Sequence, residues 1–145
     1  MNDISILNLM IKDHNSLMQN LKDIEENVNK DKSYITRSFN NFKWNLEKHF
    51  FVEERAIFTF YNPEKIDEGY NTFLKLTKEH TKILAKVKEV EKKIKEQNEI
   101  DFEELKDLLI NHKTLEENKM YPILDEEIAE GEKRFIIQRI KDIKI

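Results

Sequence analysis

The four histidines of this chain occupy positions where a helix would direct apolar side chains toward a core. Apolar residues recur three and four positions apart through four long segments, and each segment includes one histidine in that series. Two of the histidines are followed four residues later by a glutamate on the same helix face. The six residues are His14, His49, Glu53, His80, His112 and Glu116. Because ionisable groups cost free energy in an apolar interior, the fold must bring these side chains together and compensate them.

The composition favours long helices joined by short connections. Of the 145 residues, 37% are charged and 39% are hydrophobic, and only two are glycine and two are proline. The periodicity predicts four long helices at about 3–29, 34–60, 65–97 and 101–121, and a shorter one at about 123–143. We therefore predict one domain spanning residues 1–145. Its fold class is all-α, an antiparallel up-down four-helix bundle with a short C-terminal fifth helix.

Two prolines and one acid indicate where helices begin or end. The second helix is expected to end at Asn62, because Pro63 disfavours helical geometry in the residue before it. Asp101 is expected at the start of the fourth helix, where an acid satisfies free backbone N–H groups. Pro122 has no backbone N–H, so the fourth helix should kink or restart near Tyr121.

Charge and cysteine content exclude several classes of function. The net charge of −4 is small, which argues against a nucleic-acid or anionic-membrane surface. No stretch approaches the roughly 20 apolar residues that span a bilayer. The absence of cysteine excludes disulfides, iron–sulfur ligation and thiolate zinc sites. The N-terminal residues lack the basic segment of a secretory signal, so we expect a cytoplasmic protein.

The buried histidines and glutamates predict a metal site. At a rise of about 1.5 Å per residue, antiparallel packing would bring the six side chains within about two turns of one level. Imidazole and carboxylate suit iron, manganese or zinc. Glu53 and Glu116 would each bridge two ions, and the four imidazoles would complete the ligand set. Glu54 and Glu117, the residues that follow them, are expected to face solvent.

Each residue taken alone also has a purely structural interpretation. A single histidine on an apolar face is more often a hydrogen-bonded core residue than a ligand, and His-x-x-x-Glu pairs are common on helix surfaces. A metal-free helical interaction protein is therefore an alternative. The joint pattern of one histidine for each long helix, at compatible heights, favours the metal site.

These residues also carry a family resemblance. The chain resembles the hemerythrin-like (HHE cation-binding) domain family through four stretches: IKDHNSLMQNL, EKHFFVEERAIF, KEHTKILAKV and NHKTLEENKMYPIL. The resemblance implies a four-helix bundle with two non-haem iron ions, joined by an oxo or hydroxo bridge. It further implies that the protein binds a small diatomic ligand such as oxygen or nitric oxide, with an unknown redox partner.

The chain departs from oxygen-carrying hemerythrins at two positions. Those proteins have a second histidine one turn after the third-helix histidine, where this chain has Leu84. They usually have an aspartate five residues after the fourth-helix histidine, whereas Glu116 here lies at four and Glu117 at five, so Glu117 is an alternative bridge. The pattern is closer to the broader hemerythrin-like group of repair, nitric-oxide-responsive and iron-sensing proteins. A redox enzyme or iron-centre repair protein acting on peroxide, oxygen or nitric oxide is therefore the alternative to a binding protein.

Overall fold

The computed structural model describes residues 5–58, 70–96 and 99–144, and its helices follow the apolar periodicity. They are α1 (Ile6–Glu26), α2 (Lys32–Val52), α3 (Tyr70–Lys95), α4 (Glu103–Leu115), α5 (Tyr121–Glu127) and α6 (Glu130–Lys144). The first four pack in a ring, α1 against α2, α2 against α3, α3 against α4 and α4 against α1. The described residues include no strand, and the prediction of an all-α bundle with a short C-terminal helix is confirmed.

Side-chain caps fix where the long helices begin. The Ser5 hydroxyl accepts a hydrogen bond from the Asn8 N–H at 3.0 Å and starts α1. Asp31 accepts from the Tyr34 N–H at 2.8 Å and starts α2. Asp101 accepts from the backbone N–H of Glu103 at 2.9 Å, but the N-cap of α4 is Phe102, so the predicted acid lies one residue before the cap.

Both helices that carry His-x-x-x-Glu continue into a π turn that begins at the glutamate. These turns are Glu53–Ile57 after α2 and Glu116–Met120 after α4. A π turn is rare and is often found at functional sites. The predicted restart near Tyr121 is confirmed, since α5 begins there with Pro122 in its first turn. The predicted helix end at Asn62 lies outside the described residues.

The apolar core is divided into two clusters along the bundle axis. On α1, Met10 belongs to one cluster and Leu17 to the other, with His14 between them. On α3, Leu76 and Ile83 flank His80 in the same way. The C-terminal helix α6 packs on the first cluster and so covers one end of the bundle. The four histidines and two glutamates therefore form a polar level between two apolar regions.

None of the helices in the described ranges is long and apolar enough to cross a membrane.

Candidate metal centre

The structure brings together all six side chains that the sequence singled out. Their exposed fractions are 3% or less, and they are the six buried polar or charged residues in the described part of the chain: His14, His49, Glu53, His80, His112 and Glu116. The two glutamates are completely buried. Such a concentration of ionisable groups is costly unless the groups compensate one another or bind an ion.

Glu53 lies at the centre of this level. Its Oε1 atom is 3.0 Å from His80 Nε2, 3.4 Å from His49 Nε2 and 3.8 Å from His112 Nε2. Its other oxygen, Oε2, accepts a hydrogen bond from the buried hydroxyl of Tyr121. One carboxylate from the π turn after α2 therefore faces imidazoles from three helices.

Glu116 occupies the corresponding place on the π turn after α4. Its Oε1 atom is 3.0 Å from His14 Nε2 and 3.4 Å from His112 Nε2. Its Oε2 atom is buried and has no hydrogen-bond partner. Glu116 thus faces one imidazole from α1 and one from α4, the helix that leads into its own π turn.

The donor atoms at this level fit metal ions. The side chains form two groups, and within each group the ligand atoms all lie within 4.8 Å of one another. The groups are Glu53–His80–His112–Glu116 and His14–His49–Glu116, so Glu116 belongs to both. The Nε2 atoms of His49 and His112 are also buried without a hydrogen-bond partner. A buried polar atom that is left unpaired costs about 1–3 kcal/mol, and a bound cation would remove that cost. Nitrogen and oxygen donors without sulfur suit iron, manganese or zinc.

Each imidazole is held from outside by a second carboxylate. The four Nδ1 atoms lie 2.6–3.1 Å from an acid on a neighbouring helix: Asp13 for His49, Glu54 for His80, Glu79 for His112 and Glu117 for His14. An ionised carboxylate can only accept, so Nδ1 donates its hydrogen and Nε2 is directed inward. Such carboxylate–histidine pairs orient metal ligands in known sites. The contacts form a closed ring in which each helix supports the histidine of the next.

This ring corrects the expectation that Glu117 faces solvent, and it adds a contact to Glu54, which is exposed as predicted. The Glu117 side chain is 20% exposed and contacts His14 Nδ1 at 2.7 Å. The Glu54 side chain is 53% exposed, yet its Oε1 lies 3.1 Å from His80 Nδ1. The expectation for Glu117 was wrong because the π turn lets Glu116 and Glu117 approach the same imidazole, that of His14. Glu117 lies on the outer side of His14, whereas Glu116 lies on the inner side, near His112 as well.

Sequence reasoning missed Asp13, Glu79 and Tyr121. The available signal was adjacency, since Asp13 directly precedes His14 and Glu79 directly precedes His80. Tyr121 is completely buried, and burial together with Glu53 raises the pKa of its hydroxyl well above the usual value. The phenol therefore keeps its proton and acts as a hydrogen-bond donor.

The environment pushes the pKa values of two histidines apart. Burial, assisted by the nearby His49, lowers the pKa of His14 to about 4. Burial acts in the same direction on His112, but the carboxylates of Glu53 and Glu79 outweigh it and raise that pKa to about 9. Burial opposes ionisation of Glu53, yet His49 and the other imidazoles hold its pKa well below the usual range. In the metal-free protein at neutral pH, His112 is protonated and His14 is neutral.

These opposite shifts predict that metal binding near neutral pH releases the proton of His112, because a ligating imidazole must be neutral. The proton comes from His112, whose pKa of about 9 keeps it charged until the metal binds, whereas His14 has none to release. The apparent metal affinity should therefore rise with pH up to about 9 and then level off. Calorimetry in two buffers of different ionisation enthalpy measures the released proton. Equal heats in both buffers would contradict the prediction.

The outer carboxylates should tune metal affinity. Glu79→Gln keeps an oxygen that accepts from His112 Nδ1 but removes the charge, so we expect metal affinity to fall about 10–100-fold. Glu99→Gln, at an exposed position, removes the same charge away from the centre and is the matched control. Competition with a chelator measures both affinities. Equal affinities in the two variants would show that the charge of Glu79 beside His112 does not contribute to metal affinity.

The comparisons with known proteins give one match. The chain matches the family model of the hemerythrin HHE cation binding domain over residues 5–124, a stretch that contains all six central residues. No curated protein and no solved structure matches the chain.

Proposed function

The chain belongs to the hemerythrin HHE cation-binding domain family, and we propose that it is a cytoplasmic protein that holds two non-haem iron ions and binds oxygen or nitric oxide. The observation that carries the proposal is the pair of buried donor groups that share Glu116. The unpaired Nε2 atoms of His49 and His112, which point into these groups, support it further.

The two groups suggest how the ligands are divided. In this proposal His80, His112 and Glu53 hold one ion, His14 and His49 hold the other, and Glu116 serves both. Iron bound by imidazole and carboxylate supplies one-electron redox chemistry and an open position for an exogenous ligand. The chain's part is to hold each imidazole through its outer carboxylate, so that Nε2 is directed inward.

The surroundings of the centre favour a small ligand. Phe50 lies face to face with His80, with ring centroids 3.9 Å apart, and excludes water from that side. A cavity of only about 10 Å³ reaches His14, His49 and His112 between apolar side chains that include Leu46 and Leu109. This volume is close to the minimum for a single water molecule. An apolar space of this size suits a diatomic molecule.

Two observations favour a redox enzyme or an iron-centre repair protein as a second candidate. The His14–His49–Glu116 group offers only three ligands, and Leu84 is a half-buried core residue that adds none. A polar cavity of about 180 Å³ between α1 and α2 reaches His49, and Asp13, Asn45 and Lys48 are among the residues that line it. Open ligand positions next to a polar route for protons would suit turnover of peroxide, oxygen or nitric oxide.

Rapid mixing separates the two candidates. Iron-loaded, reduced protein is mixed with oxygen, nitric oxide or peroxide, and its optical spectrum is followed with time. The binding function predicts a spectral change with oxygen or nitric oxide that reverses when the ligand is removed. Consumption of many ligand equivalents per chain would favour the enzyme. The absence of any spectral change with all three compounds would overturn both.

A further inference from the structure

The two halves of the bundle repeat the same arrangement. In each half an acid–histidine pair on one helix is followed by His-x-x-x-Glu-Glu on the next, and an aromatic residue lies nine positions after that second histidine. The first half comprises Asp13-His14, His49, Glu53-Glu54 and Phe58, and the second comprises Glu79-His80, His112, Glu116-Glu117 and Tyr121. The outer carboxylates repeat in the same way, since Asp13 contacts His49 as Glu79 contacts His112. A difference between the halves therefore has to come from equivalent positions that hold different residues.

The aromatic residue is the difference at the centre. Phe58 packs near His80 with ring centroids 5.6 Å apart and the planes at 17°. Tyr121 packs near His14 in the same manner, at 6.1 Å and 30°. Tyr121 carries a hydroxyl, which donates to Glu53 Oε2, and Phe58 carries none. The Oε2 of Glu116, the counterpart of Glu53 in the other half, has no hydrogen-bond partner.

This difference coincides with an inequality between the donor groups. The group around His80 and His112 includes both glutamates, whereas the group around His14 and His49 includes Glu116 alone. Glu53 has two oxygens, and the one that is not near the imidazoles is engaged by the phenol. An oxygen that accepts a hydrogen bond uses a lone pair and donates less charge to a cation.

We propose that Tyr121 makes the two metal positions unequal, so that the His80–His112 position fills first and the His14–His49 position fills second and more weakly. The first ion uses Glu53 Oε1, which faces the imidazoles and does not contact the phenol. The second ion can share Glu53 only through Oε2, and it has to displace the phenol to do so. Tyr121 is thus a positioning residue that acts through Glu53 and sets the order of loading. This inference rests on the proposed function only in that the six residues bind metal ions.

Calorimetric titration of the chelated protein with zinc tests the proposal, because zinc takes the same donors and has no redox chemistry. The parent protein should show two binding events, one tight and one weak. Tyr121→Phe should leave the first event unchanged and tighten the second by about tenfold, the order expected for removing a hydrogen bond to a charged group. Tyr34→Phe removes a phenol hydroxyl near the beginning of α2, about four turns away from His49, and is the matched control.

Further variants assign each calorimetric binding event to one metal position and test whether Phe58 and Tyr121 are equivalent. His80→Asn should remove the tight event, and His14→Asn should remove the weak one. Phe58→Tyr places a hydroxyl at the equivalent position of the other half, where it should reach Glu116 Oε2 and weaken binding. Melting curves of the metal-free variants verify that each still folds, and Tyr121→Phe, which removes a single atom, carries the decision alone if the others do not.

The outcomes distinguish the loading order proposed for Tyr121 from the proposed metal-binding function. A tighter second event in Tyr121→Phe supports the proposal. Two events of equal affinity in the parent, an unchanged second event in the variant, or a weaker one would each overturn it, the last because the phenol would then be preparing Glu53 for the metal. A parent that binds no zinc and also retains no iron would overturn the proposed function itself.

Discussion

Glu116→Ala should leave the protein unable to hold two metal ions per chain. Glu116 is the only residue that belongs to both donor groups of the described chain, and its Oε1 lies 3.0 Å from His14 Nε2 and 3.4 Å from His112 Nε2. Removing it takes a ligand from each ion and the bridge between them. Elemental analysis of loaded, desalted protein measures the loss.

Two other glutamates serve as comparisons for this variant. Glu126→Ala removes an exposed carboxylate on α5 and should retain both ions. Glu117→Ala removes only the outer contact to His14 Nδ1, so it should retain both ions at lower affinity. Retention of two ions by Glu116→Ala, together with their loss from Glu117→Ala, would mean that Glu117 is the bridge.

Removal of metal should lower the melting temperature by about 10 °C or more. A ligand that binds only the folded state at about 1,000 times its Kd adds roughly 4 kcal/mol, and each kcal/mol shifts the melting temperature of a chain this size by about 2–4 °C. In the metal-free state the buried His49 Nε2, His112 Nε2 and Glu116 Oε2 atoms also have no partner. Scanning calorimetry before and after chelation gives the shift.

Adding the metal back is the control for that experiment. Readdition should restore the original melting temperature, and a Glu116→Ala protein should respond much less to either treatment. An identical melting temperature with and without chelator, in a protein shown to have carried metal, would contradict the link between metal binding and stability.

The six central residues were predictable because a helix has a fixed period. A histidine that interrupts an apolar series at three- and four-residue spacing must point where its neighbours point, as His14 does between Met10 and Leu17. Each Glu four residues after a histidine shares its face for the same reason. The family resemblance led to the same bundle, and the family match supports that fold independently.

The outer ring was not predictable from periodicity. Asp13 and Glu79 each lie about 100° around the helix from the adjacent histidine, at the border between core and solvent. Whether such an acid faces water or the next helix depends on how the helices rotate and pack, which a single sequence does not specify. Glu54 illustrates the difficulty, since it is largely exposed and still contacts His80 Nδ1.

The π turns and the Tyr121 contact were missed for a related reason. Pro122 correctly predicted a restart of the helix near Tyr121, but no local pattern predicts the π turn before it. The hydrogen bond from Tyr121 to Glu53 joins residues that are 68 positions apart, so it depends on the packing of the whole bundle. Only the aromatic character of Phe58 and Tyr121 was visible in the sequence.

Metal content per chain is the most direct test of the central claim. The 145-residue chain is expressed with adequate iron, purified without chelator, and analysed for metal and for protein concentration on the same sample. The metal centre described above predicts close to two ions per chain, mainly iron, with lower content in Glu116→Ala than in Glu126→Ala. A fully folded protein that contains no metal and takes up none on incubation with iron would contradict it.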